Sequence, residues 1–166
     1  MLHTNVLIPF RGPRHNHQHC IRDALAIAEK TCASRGLRLT RLRRRVLELV
    51  WDRHEPIKAY DILDQLRQEH RGAAPPTVYR ALDFLLQASL IHRVETLNAY
   101  VGCGNPDRPH IGQFLLCRQC GTVAELDAPE ITAILTGEAR NLGFQVARQT
   151  VEIRGLCPRC NEFRDS

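Results

Sequence analysis

Two cysteine pairs, Cys117-Arg-Gln-Cys120 and Cys157-Pro-Arg-Cys160, constrain this chain more than any other feature. A Cys-x-x-Cys turn directs two thiolates at one metal, and two such turns complete a closed tetrahedral site of the structural zinc kind. The site ties together segments separated by 36 residues, so the intervening chain must leave and return. A strand, a helix and a strand fit that interval. Strands are expected over 111–116, 123–126 and 144–156, where β-branched residues such as Val146, Val151 and Ile153 recur, with a helix from Pro129 to Gly143. The competing chemistry is a redox dithiol, which needs one Cys-x-x-Cys at a helix start. Two pairs that bracket a module favour structural zinc, because a four-ligand site leaves no position for a substrate.

Seven cysteines are an odd number, which argues against a complete disulfide framework. No apolar run approaches the roughly 20 residues of a membrane span, and the start MLHTNVLIPFRGPRHNH lacks the features of a signal peptide. The expected compartment is the cytoplasm, where clustered thiols stay reduced and more often hold metal.

The first half has a different character. Residues 1–98 carry 16 Lys and Arg against 10 Asp and Glu, a net of +6, whereas 99–166 carry 7 against 8, a net of −1. A polyanion is the expected partner of the first half. Its apolar residues recur at helical spacing. Ile21, Leu25, Ala28 and Cys32 mark a helix over 23–35, and Thr40 caps a second in which Leu42, Val46, Leu49 and Val50 form the buried stripe. Arg41, Arg43, Arg44 and Arg45 lie mostly off that stripe. Ala59, Ile62, Leu63 and Leu66 define a third helix. A fourth starts at Pro75-Pro76-Thr77, buries Val78, Ala81, Leu82, Leu85 and Leu86, and shows Thr77, Arg80 and Gln87 outward. A hairpin over 90–94 and 99–101 follows. Helices followed by a hairpin predict a winged helix whose fourth helix enters a major groove.

The expected fold is therefore α+β: an irregular leader over 1–20, a winged-helix DNA-binding domain over 21–98, a hinge at 99–102, and a small α/β dimerisation and zinc-binding domain over 103–166. In the leader, His15, His17, His19 and Cys20 offer metal donors, but the run HNHQHC reads first as a solvated tail. His92, Cys103, His110 and Glu125 make a second donor set, of mixed nitrogen, sulfur and oxygen, that suits zinc. Each also has an ordinary reading as a strand, loop or surface residue, and spacing alone does not choose.

The segments Arg38-Leu39-Thr40, YDIL at 60–63, PPTVYRALDFLL at 75–86, HRVE at 92–95 and the two cysteine pairs together resemble the ferric uptake regulator family, and more narrowly its zinc uptake regulator branch. The resemblance spans about residues 21–162. It implies a homodimeric repressor that binds a palindromic double-stranded operator, with two zinc ions per chain and no catalytic residue. Cys117, Cys120, Cys157 and Cys160 would hold the structural zinc, and His92, Cys103, His110 and Glu125 the regulatory one. Tyr60 and Arg80 fall where that branch meets bases; Thr77 on the exposed side of the fourth helix and Arg41, Arg43 and Arg44 on the cationic face of the second are further candidate DNA contacts. The family usually has Thr-Pro-Gln-Arg where this chain has Thr40-Arg41-Leu42-Arg43, a departure that bears on phosphate contacts and not on the fold. Iron or peroxide sensing by the same family is the nearest alternative, and a thiol or zinc enzyme a more distant one. Cys103 favours zinc over iron, since a thiolate is a soft donor.

Overall fold

The computed structural model describes residues 5–12, 15–69 and 71–162. In chain order the elements are β1 (Asn5–Ile8), α1 (His17–Ser34), α2 (Arg41–Trp51), α3 (Ala59–Glu69), α4 (Pro75–Gln87), β2 (Ile91–Val94), β3 (Ala99–Gly102), β4 (Gln113–Cys117), β5 (Val123–Asp127), α5 (Pro129–Asn141), β6 (Val151–Gly155) and α6 (Pro158–Glu162). A single 3₁₀ turn over Glu95–Leu97 joins β2 to β3. Residues 11–108 form one compact unit; the chain up to Phe10 and from Pro109 onward forms the other.

The 11–108 unit is a winged helix. Its core comes from the predicted stripes: Val46, Leu49 and Val50 of α2, Ile62, Leu63 and Leu66 of α3, and Val78, Leu82 and Leu85 of α4 are at most 3% exposed. Thr40 caps α2 by accepting the Arg43 amide at 3.4 Å. The wing is antiparallel, with His92 opposite Val101 and Arg93 opposite Tyr100. Asn98 turns it with φ of 47°, a left-handed conformation that asparagine tolerates. Gly102 at the end of β3 lies against the Trp51 indole, and any Cβ there would overlap the ring. Gly102→Ala is expected to destabilise this unit by roughly 1–3 kcal/mol through overpacking, read as a lowered denaturant midpoint with unchanged slope.

The second unit is a four-stranded sheet ordered β1-β5-β4-β6, antiparallel except for the parallel pair β4 and β6. Three expectations are corrected here. The leader is not irregular throughout: Asn5–Ile8 pairs with β5, and α1 begins at His17 because the Asn16 side chain accepts the Gln18 amide at 3.0 Å. Residues 99–102, expected both as the second strand of the hairpin (99–101) and as a hinge, are that strand. The strand expected over 144–156 is confined to Val151–Gly155, because its partner β4 offers only five residues, Gln113–Cys117, for pairing. Helix α5 buries none of its residues. Ile131, Ile134, Leu135, Leu142, Phe144 and Ile153 of this unit are all large, apolar and exposed. Among the described residues no helix is long and apolar enough to cross a membrane.

Candidate metal centre and nucleic-acid face

The parallel pairing of β4 with β6 brings the two cysteine pairs together. It sets Cys117, the last residue of β4, opposite Gly155, two positions before Cys157, and the Arg118 amide donates to the Gly155 carbonyl at 2.9 Å. Both Cys-x-x-Cys turns therefore leave the sheet at the same end. Gly121, at φ of 75°, closes the first turn, and its amide donates to the Cys117 carbonyl at 3.0 Å. Cys157 and Cys160 flank the start of α6.

The four sulfurs lie within 4.8 Å of one another, with Cys120 and Cys157 at 3.7 Å. Four thiolates on one zinc, each about 2.3 Å from it, stand roughly 3.8 Å apart, so the donor set fits a tetrahedral ion. Phe10 and Leu156 pack against the cluster. Burial raises the Cys117 thiol, but backbone amides of Cys120, Cys157 and Gln119 outweigh it and hold the group at about 6. Cys160, raised first by burial and then by Cys157, Cys120 and Cys117, is pushed up to about 12. One thiolate forms readily, and a shared dication is what would make all four favourable.

The second predicted donor set divides between the units. In the second unit, Glu125 sits on β5 between β1 and β4, facing Ile8 and Phe114 in register, and is 1% exposed. Its Oε1 lies 2.8 Å from His110 Nε2. In the winged-helix unit, His92 is on β2 and the buried Cys103 follows β3, its amide donating to the Leu90 carbonyl at 3.1 Å. The segment after Cys103 is fastened to α1: Thr31 Oγ1 donates to Asp107 at 2.9 Å, and Arg35 donates to the Pro106 and Ala88 carbonyls, both at 2.9 Å. All seven cysteines are free of disulfides.

The predicted DNA contacts share the winged-helix unit but differ in availability. Tyr60, on the first turn of α3, is 66% exposed, and Thr77 and Arg80 are exposed on the first turns of α4. No side chain caps α4, whose first two residues are prolines, so its exposed start carries the positive end of the helix dipole. Arg41 is exposed. Arg43 and Arg44 are engaged within the unit. The Arg43 guanidinium lies 3.6 Å from the Phe84 ring centroid and donates to the Arg38 carbonyl at 2.6 Å, while Arg44 pairs with Glu29 and Glu48. Tyr79, half exposed on the outer side of α4, joins this face without having been expected there. Its position next to Val78 and off the Val78-Leu82-Leu85 stripe is the sequence signal that marks it.

A winged helix followed by a four-cysteine α+β module is the organisation of a metal-dependent transcription regulator. The sequence model of the ferric uptake regulator family matches residues 34–154, and the chain belongs to that family. Within it, the zinc uptake regulation protein of Escherichia coli (strain K12) is 44% identical over 142 residues, covering 85% of this chain and 83% of the relative. Two solved structures are similarly related. A zinc uptake regulator complexed with zinc and DNA is 42% identical with a TM-score of 0.83, over 88% of this chain and 98% of that one. The holo form of the regulator XcZur is 42% identical with a TM-score of 0.78, over 86% and 99%.

Proposed function

We propose that this protein is a cytoplasmic, zinc-responsive repressor of zinc-uptake genes. It binds a palindromic operator as a homodimer, carries a structural and a regulatory zinc ion in each chain, and is a regulator and not an enzyme. The observation that carries this reading is Glu125, a carboxylate 1% exposed on a central strand and joined to His110, apart from the four-cysteine site. A buried carboxylate calls for a cation, and a hydrogen-bonded carboxylate–histidine pair is suited to share one. With His92 and Cys103 it would complete a regulatory zinc site, and the thiolate favours zinc over iron. Cys117, Cys120, Cys157 and Cys160 hold the structural ion, and their closed set leaves no position for catalysis.

The regulatory donors come from both units, so one ion held by all four would restrict movement of the winged helix on the dimer module. Moving a population from 1:99 to 99:1 requires the metal to prefer the DNA-binding form by about 5.5 kcal/mol, which is within reach of tight zinc binding. The exposed apolar residues of α5 and β6 support dimerisation through the second unit. A dimer of recognition helices then matches two half-sites.

Titration with a chelator tests the reading. The four-cysteine zinc should stay and the regulatory zinc should leave readily, and loss of the regulatory ion should abolish operator binding at fixed salt. Specific binding that persists after that loss would refute the proposal. Arg80→Ala should lower discrimination between operator and random DNA by roughly 1–3 kcal/mol, as expected of an arginine reading guanine O6 and N7. Equal losses on both DNAs would exclude the base-reading role. Neutralising Arg41, Arg43 or Arg44 should instead weaken both and flatten the salt dependence, by about one unit of slope for each phosphate no longer neutralised.

A further inference from the structure

The histidine-rich leader is not a loose tail along its whole length. His17 and Cys20 lie three residues apart on the first turn of α1, which places them on one side of that helix. His15 reaches back so that its Nε2 is 2.8 Å from Cys20 Sγ. His54, from the turn between α2 and α3 and remote in sequence, joins them. Its ring centroid is 4.4 Å from that of His17 and 4.9 Å from that of His15, and the His15 and His17 centroids are 5.7 Å apart. Three imidazoles bound tetrahedrally through nitrogens about 2.0–2.1 Å from one ion have centroids roughly 5 Å apart, close to these spacings, and rotation of the rings would turn their nitrogens onto one ion. His17 Nδ1 and His54 Nε2 are buried and have no hydrogen-bond partner. Buried ring nitrogens without a partner are free to take a ligand. His19, by contrast, is exposed and turned to Arg22 at 3.3 Å.

We infer that His15, His17, Cys20 and His54 form a further zinc site inside the winged-helix unit, separate from both the four-cysteine and the regulatory sites. Three imidazoles and a thiolate are a borderline-soft donor set suited to zinc. Burial, and then the neighbouring His17, His15 and Arg11, lower His54 to about 4, so its ring is neutral and able to donate a lone pair at neutral pH. Zinc uptake releases the Cys20 proton to solvent. It also moves the His15 proton to Nδ1, so the 3.3 Å approach of Arg11 to that nitrogen is given up. An ion here fastens the start of α1 to the turn that leads into α3 and Tyr60.

The test is zinc counted per chain by native mass spectrometry on the full-length protein at micromolar free zinc. His54→Gln and His17→Gln should each bind one zinc fewer than the wild type, and His19→Gln the same number. Cobalt substitution should give a thiolate charge-transfer band whose Cys20 share disappears in Cys20→Ser. The double variant His92→Ala/His54→Gln should lose two ions, which separates this site from the regulatory one. Unchanged counts in both His17→Gln and His54→Gln would overturn the inference. So would a loss of only one ion in the double variant when His92→Ala and His54→Gln each lose one alone, or an equal loss in His19→Gln, the mark of an unstructured histidine tract.

Discussion

Cys117→Ser is expected to yield a chain that no longer keeps any zinc through chelation and whose sheet of β1, β4, β5 and β6 is unfolded. The size of the effect follows from the small core of that unit, which leans on the metal cluster against which Phe10 and Leu156 pack. Structural zinc contributes on the order of 10–16 kcal/mol in small zinc-folded domains, against a typical domain stability of about 5–15 kcal/mol. Losing one of four donors therefore removes most of what holds the unit. The winged helix has a separate core, so its helices should persist, with residual helical circular dichroism and a protease-resistant fragment ending near Arg108. Dimerisation should be lost as well. Cys103→Ser, in the same assays, should keep the chelation-resistant zinc and the dimer. A stable zinc-bearing dimer without Cys117 would overturn the structural assignment of the four cysteines.

His92→Ala is expected to leave the fold, the dimer and the chelation-resistant zinc intact while zinc-dependent operator affinity falls by on the order of 100-fold or more. His92 is half-buried on a two-stranded wing, so its removal opens no large cavity. It removes one donor from the proposed regulatory ion, and with it part of the preference that holds the DNA-binding form. Binding to random DNA, which depends on Arg and Lys contacts with phosphate, should change little. An operator titration identical to wild type would exclude His92 from the sensing site.

Much of the fold is legible in the sequence because its signals are local or periodic. The stripes of α2, α3 and α4 name the core, Thr40 names its helix start, and the two Cys-x-x-Cys pairs name a cluster whose sulfurs the sheet brings within 4.8 Å. What the sequence does not disclose depends on partners far away in the chain. Asn5–Ile8 has no strand signature strong enough to stand alone and becomes a strand because β5 offers an edge. The expected long strand after Gly143 is cut to five residues by the length of β4. His54 looks like an ordinary turn residue until the fold places it against His15 and His17. Arg43 and Arg44, candidate phosphate contacts by sequence, are engaged by Phe84, the Arg38 carbonyl, Glu29 and Glu48.

The sheet that carries the four cysteines is assembled from distant parts of the chain: β1 precedes the winged helix, whereas β6 and the second cysteine pair come at 151–160. During synthesis the winged helix, continuous over 11–108, has all its strands and helices available long before Cys157 and Cys160 leave the ribosome. The winged helix is thus complete first, while the sheet that gathers the four cysteines waits for the last of them.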